Sequence, residues 1–218
     1  MIIKSFELNK IDLEKNNLFL LYGDNEGHKN QVIVNNFKKK FSKKTFYYDE
    51  SEVINNKNDF FDNILSKSFF ENEKLIIINR STDKIMSIIE EILEKKIEDL
   101  ILILNCGSLD KKSKLRSLFE KNKEIICIPF YEDNNQTLST IAIKFFRDNK
   151  IPISQQSINL IVSRCRGDRQ NLKNELSKIE SFIKNKKKIE LSEILKLTNL
   201  AENYSVTELT DNCLAKNK

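Results

Sequence analysis

Hydrophobic and polar positions follow one rhythm up to about residue 130 and another beyond it. In the first part, short continuous apolar runs alternate with longer segments whose apolar residues recur every three or four positions. The runs "NLFLLY" (17–22), "KTFYYD" (44–49), "KLIIIN" (74–79), "DLILILN" (99–105) and "EIICIPF" (124–130) read as strands. Each is short and rich in branched, aromatic or Leu residues. Between them, "HKNQVIVNNFKKKFS" (28–42) places Ile33, Phe37 and Phe41 on one helical stripe. "DFFDNILSK" (59–67) carries Phe61, Ile64 and Leu65 at helical spacing, and "DKIMSIIEEILEKK" (83–96) is amphipathic through Ile85, Ile88, Ile89, Ile92 and Leu93. "DKKSKLRSLFEKN" (110–122) is the fourth helix. Strands that are apolar throughout, separated by amphipathic helices, imply a sheet covered on both faces. The expected fold class is therefore α/β, a five-stranded, mainly parallel sheet in a domain spanning 1–135.

After the polar stretch "YEDNNQ" (131–136) no further strand pattern occurs. "TLSTIAIKFFRDN" (137–149), "SQQSINLIVSRCR" (154–166), "DRQNLKNELSKIESFIKN" (168–185) and "LSEILKLT" (191–198) all read as helices. Ser154 and Asp168 suit N-caps, and Gly167 sits where a helix would stop. A small all-helical domain is expected over 136–203. Val206 and Leu209 open another amphipathic pattern over 204–218, which reads as the start of a further domain cut short.

Composition narrows the class. Charged residues make up 32% of the 218, and no apolar run approaches the ~20 residues of a membrane span. The amino-terminal stretch lacks a signal-peptide pattern, so the expectation is a cytoplasmic protein with no membrane partner. The four cysteines lie far apart, without a CxxC pair, and His28 is the only histidine; no metal site is expected. A formal charge of +5 permits contact with nucleic acid without requiring it, and the lysine clusters at 38–44 and 184–188 read first as solvated faces.

The loop after the first strand, "YGDNEGHKN" (22–30), occupies the place of a phosphate-binding loop. That motif needs G-x-x-x-x-G-K-[ST], with backbone N–H groups cradling phosphates and a Lys reaching the terminal ones. Here Gly23 and Gly27 are one residue too close, His28 separates Gly27 from Lys29, and Asn30 replaces the hydroxyl residue. Asp24 and Glu26 would add carboxylates beside any phosphate. The loop reads as a degenerate phosphate loop not expected to bind nucleotide, so no cofactor is expected. The strand 74–79 ends in Asn79 and Arg80 where a metal-holding acid would stand; Asp49–Glu50 reads as a charge bias at a helix start. Arg164, in "SRC" (163–165), reads as a surface arginine beside a buried cysteine. No catalytic set is available to a chain with one histidine.

The stretch "LSKSFFENEKLIIINR" (65–80) sets Phe69 and Phe70 side by side among polar residues. Neighbours cannot point the same way on a helix or strand. Continuing the 59–67 helix at about 100° per residue puts Phe69 near the Phe61/Leu65 stripe and Phe70 on the opposite side. The pair is either tucked under the sheet by a turn or offered to a partner; the pattern leaves both open.

In order and spacing, "LFLLYGDNEG", "SFFENEKLIIIN", "DLILILN", "LDKKSKLRSLFEKN" and "GDRQNLKNELSKIESF" resemble the delta subunit of the bacterial DNA polymerase III clamp loader. The resemblance covers nearly the whole chain. It implies an AAA+/RecA-like domain followed by a helical lid, with a collar domain that joins the other loader subunits barely begun at residue 204. It implies no ATP hydrolysis. It implies binding to the ring-shaped sliding clamp, with primer–template DNA as a further partner in the assembly. The clamp-binding element would be Ser68, Phe69 and Phe70, with Phe69 standing where the family commonly has leucine. Two alternatives remain: an active AAA+ ATPase of the same kind of loader, and an α/β interaction module unrelated to replication.

Overall fold

The computed structural model describes residues 1–11, 16–40, 45–65, 74–95, 97, 100–183, 189–198 and 213–215. The chain divides into two compact units, Met1–Glu132 and Asp133–Lys218.

The first unit is built on five strands, β1 (Leu18–Tyr22), β2 (Thr45–Asp49), β3 (Lys74–Asn79), β4 (Leu100–Asn105) and β5 (Ile126–Pro129), in the order β2-β3-β4-β1-β5. Every pairing is parallel; Leu18 stands beside Leu102, and Ile76 beside both Phe46 and Leu102. The runs of β1, β3, β4 and β5 are buried on both faces, which is why they are continuous; the edge strand β2 is half-buried, with Tyr47 exposed. On one face, Leu20, Ile76, Ile78, Leu102 and Leu104 meet helices α3 (Lys57–Leu65), α4 (Met86–Lys95) and α5 (Lys114–Lys121). On the other, Phe19, Leu21, Ile77 and Ile103 meet α1 (Glu26–Val32), its π-helical continuation Ile33–Lys38, and the amino-terminal segment through Ile3 and Leu8. Burying one such Leu or Ile contributes roughly 1.5–3 kcal/mol, so these runs set the strand register against which everything else is placed.

The elements begin where side chains can cap them. Asn25 caps α1, its Oδ1 accepting from His28 N at 3.0 Å. Asp49 and Glu52 form a capping box on a short helix the periodicity does not predict, α2 (Glu50–Asn55). The helix expected over 83–96 starts as a 3-10 turn, Asp83–Ile85, before α4, and the helix expected from 110 starts at Lys114, after its cap Ser113. In α3 the buried residues are Phe60, Phe61 and Ile64; Leu65, expected on the buried stripe, is 47% exposed.

The second unit holds α6 (Asn135–Asp148), α7 (Gln155–Cys165), α8 (Arg169–Ile183) and α9 (Leu191–Leu197) around a core that includes Leu138, Phe146, Ile161, Leu172 and Ile194. Ser154 caps α7, and the helix stops at Arg166 and Gly167, with φ of 47° and 77°. Arg169 grips Asp133 with two hydrogen bonds, Nε to Oδ2 at 2.7 Å and Nη2 to Oδ1 at 2.6 Å, and both side chains are largely buried. Such a fork fixes the first turn of the unit against the start of α8.

Asp83 ties the turn after β3 to the start of α5. Its carboxylate accepts from Ser113 Oγ at 2.6 Å and from the N–H groups of Lys114 and Leu115 at 3.0 Å each. The Ser113 hydroxyl, then those two N–H groups, hold its carboxyl below the ordinary carboxylate range. A carboxyl whose folded pKa is depressed stabilises the fold above its unfolded pKa, and that contribution vanishes as pH falls through the folded value. Asp83→Ala should therefore cost about 1 kcal/mol near neutral pH, a typical loss for a helix cap. The gap from wild type should close as pH drops below the carboxylate range, measured by chemical denaturation at both pH values.

Candidate functional site

The strand order reverses beside β1: the chain crosses from β1 to the far edge at β2, returns through β3 and β4, then crosses to β5. In open α/β sheets ligands bind at the carboxyl ends of the strands at such a point. The loop carrying Gly23, Gly27 and Lys29 lies there, against the ends of β4 and β5.

That crevice is closed by the chain itself. Gly23 N donates to Gly107 O at 3.0 Å, Cys106 N to Leu21 O at 2.8 Å, and Phe130 N to Tyr22 O at 2.8 Å. Gly23 has φ +124°, and a Cβ there would lie 2.0 Å from the Phe130 carbonyl oxygen. Its glycine identity is thus demanded by β5 and the positive φ. Asn25 Nδ2 donates to Tyr131 O at 2.9 Å, and the His28 ring meets Phe130 edge-on, centroids 5.0 Å apart. Gly27 is buried within the first turn of α1. Lys29 is 0% exposed. Its ammonium donates to Glu26 Oε1 and to the carbonyl of Cys106, both at 2.5 Å. The lysine that a phosphate loop would spend on a ligand is therefore engaged by this chain's own carboxylate and carbonyl. The Glu26–Lys29 spacing carried the signal, since residues three apart are neighbours on a helix.

Other polar groups near the strand ends are engaged as well, except the Oδ1 of Asn105, which is buried without a partner. Glu50 accepts from Thr82 N at 2.6 Å and from Thr82 Oγ1, while Asp49 pairs with Arg80. Asn105 Nδ2 donates to Asn79 Oδ1 at 3.1 Å. Among the described residues, no group of three or more His, Cys, Asp or Glu could hold a metal ion, and no helix is long and apolar enough to cross a membrane. Burial pushes the thiols of Cys127 and Cys165 up to about 12, and that of Cys106 upward too. Thiols so protonated are poor nucleophiles. Arg164 donates to Thr198 O at 2.7 Å and to Leu195 O at 3.3 Å, closing the carboxyl end of α9, while Cys165 beside it is fully buried.

Ser68, Phe69 and Phe70 lie outside the described residues. Their flanks are described. α3 ends at Leu65 and β3 begins at Lys74, whose ammonium donates to Asn63 O at 2.7 Å. α3 is fixed by its rings: Phe60 meets Tyr48 edge-on at 5.3 Å and Phe61 at 5.9 Å. Lys57 and Lys95 both bind Glu91, at 2.7 and 2.8 Å, and the Lys95 ammonium lies 4.5 Å from the Phe61 centroid. Exposed ion pairs contribute little, so the buried rings carry the anchoring.

Comparison with solved structures finds similar folds. The chain matches the Bacillus subtilis DNA clamp loader delta protein with a TM-score of 0.53 and 15% identity, over 98% of this chain and 72% of that one. It matches the Thermotoga maritima RuvB Holliday junction branch migration motor with 0.59 and 12%, over 91% and 67%. Domain III of the Thermotoga maritima replication initiation protein DnaA gives 0.52 and 17%, over 88% and 87%. The fold is that of AAA+/RecA-like proteins. Comparison with curated protein sequences yields no match. The family model described as DNA polymerase III, delta subunit matches residues 19–129, more than half of the chain and the whole sheet except the first residue of β1, and on that match this protein belongs to the DNA polymerase III delta subunit family.

Proposed function

We propose that this protein is a non-enzymatic clamp-loader subunit that binds a sliding clamp and favours its open ring. The observation that carries the reading is the family match over 19–129, which spans the Ser68–Phe69–Phe70 element. Two structural facts support it. The last described turn of α3 already carries an exposed apolar side chain, Leu65, directly before that element. And the crevice that would serve a nucleotide is occupied by Lys29 and its partners.

In this mechanism the protein stores no chemical energy. Phe69 and Phe70 enter an apolar pocket on the clamp, and two buried rings contribute on the order of 3–6 kcal/mol by area. Binding shifts a ring between closed and open states only by the difference in affinity for the two. Phe69, in place of a leucine, keeps the apolar volume and changes its shape. Residues 136–203 act as the helical lid of the same subunit, and nucleotide-using partners of the loader decide when the element is presented.

The decisive measurement is affinity for the cognate sliding clamp, wild type beside Phe69→Ala/Phe70→Ala. Loss of a binding hot spot costs at least about 2 kcal/mol, so the double variant should bind roughly 30-fold more weakly with its thermal stability unchanged. Equal clamp affinity for the two proteins would sink the assignment. Calorimetric titration with ATP and Mg²⁺ should show no saturable binding. Lys29→Ala should lower unfolding stability by about 1–3 kcal/mol, because it strips a buried carbonyl of its donor, while leaving clamp affinity alone. Nucleotide binding that Lys29→Ala abolishes would instead make the loop a working phosphate site.

A further inference from the structure

The two edges of the sheet are treated differently. Beside β5 the amino-terminal segment adds a bridge: Ile3 N donates to Cys127 O at 3.0 Å, and Cys127 N donates to Met1 O at 2.9 Å. Beside β2, at the other edge, no strand or bridge pairs among the described residues. An edge strand presents backbone N–H and C=O groups that a further strand can pair with. β2 runs from Thr45 to Asp49, and Tyr47 at its middle is 52% exposed.

Positive charge gathers at this open edge. Between Glu26 and Asp49 the sequence holds no Asp or Glu, and five of the seven residues 38–44 are Lys. The Lys38 ammonium lies 4.9 Å from the centre of the Tyr47 ring, so the run begins beside the middle of β2. Lys39 and Lys40, which follow it, are exposed. At the carboxyl end of the strand the acids are engaged. Asp49 pairs with Arg80, and Glu52 accepts from Asp49 N at 2.9 Å. Lysines on an edge oppose its pairing with a second copy, because that copy brings the same charges. They favour a strand that brings carboxylates. A nucleic acid would meet the lysines but has no amide row to pair with a strand.

We propose that the outer edge of β2 takes up an extended acidic peptide of a partner protein as a further strand. Its carboxylates lie against Lys38, Lys39 and Lys40, and an apolar side chain covers the exposed part of the Tyr47 ring. In such strand addition the main-chain hydrogen bonds give affinity and the alternate side chains give selectivity. The proposal uses surface remote in sequence from Ser68–Phe70 and does not depend on clamp binding.

The test is fluorescence anisotropy of the 218-residue chain with a labelled, end-blocked peptide that alternates Glu with Val. It should bind saturably, and at saturation the amide protons of β2 should exchange at least about tenfold more slowly. The same peptide with alternate amides N-methylated keeps its carboxylates but loses donors, and should bind at least about tenfold more weakly. Exchanging its Glu for Lys should abolish binding. Replacing Lys38, Lys39 and Lys40 by Gln should weaken the Glu–Val peptide roughly five- to tenfold at low salt. The control removes the same charge from the second unit, with Lys144, Lys150 and Lys173 replaced by Gln, and should change affinity by less than about twofold. No saturable binding, equal affinity for the N-methylated peptide, or equal losses in the two variants would overturn the proposal. So would displacement of the peptide by a single-stranded oligonucleotide, which would give the lysines to nucleic acid. Self-association that protects the same β2 amides without peptide would give the edge to a second copy and overturn it too. If the Gln variant melts early, the two altered peptides decide the matter on the unmodified chain.

Discussion

A lysine ammonium with no exposed surface needs partners, and where Lys29 finds them decides what the first unit can do. Its partners are a carboxylate three residues earlier on the same helix and the carbonyl at the end of β4. Leaving a charge buried and unpaired would cost several kcal/mol, so α1 is bound to the place where β4 ends. Gly23 reinforces the junction by letting the first loop pass against the carbonyl of Phe130. Strands β1, β4 and β5 are thereby joined at their carboxyl ends by the chain's own groups. A nucleotide-dependent relative would draw its order at this point from a ligand. This fold holds the same arrangement with an internal cation.

Strands β1, β3, β4 and β5 were legible because burial on both faces leaves few polar positions to blur them, and the half-buried edge strand β2 through its aromatic run Phe46–Tyr48. Parallel pairing followed from the same fact. What the pattern did not show was short or set by caps. α2 has only Glu50 and Val53 buried among its six residues, too few to make a stripe, and its signal was the Asp49/Glu52 capping box. α5 begins later than its amphipathic pattern because Ser113 and Asp83 together satisfy its first N–H groups. In α3 the stripe was assigned to Phe61, Ile64 and Leu65, yet Phe60 is buried and Leu65 is not. Both adjacent phenylalanines are buried, Phe60 being received by Tyr48, which it meets edge-on. That contact comes from β2 and cannot be seen from α3 alone.

The candidate site was legible in a different way. That the loop at 23–30 departs from a phosphate-binding motif could be read residue by residue. What Lys29 does instead could not, because its second partner, Cys106, lies 77 residues away in sequence. In the sequence, Glu26 reads as a repulsive neighbour for phosphate. Its role as a counter-charge follows from α1 starting at Glu26 rather than His28, which sets it one turn before Lys29. Ser68, Phe69 and Phe70 rest on the resemblance and on the family match, and the described flanks add the exposed end of α3.

A clamp-opening role makes a demand on the domain that the packing helps to meet. Binding energy at a small apolar knob acts on a ring only if the base of the knob does not yield first. In the proposed role the base would be α3, and its hold on the sheet consists of Phe60, Phe61 and Ile64, each a side chain whose loss from a core costs about 2–5 kcal/mol. That is comparable with, or greater than, what two rings can gain in a partner's pocket. The ion pairs of Lys57 and Lys95 with Glu91 add alignment more than strength. β3, entered directly after residues 66–73, lies between two hydrogen-bonded neighbours and is buried along its middle. A load applied near its start is therefore shared with β2 and β4. Under the proposed role, a platform locked by Lys29 would keep its shape whichever nucleotide the partner subunits held.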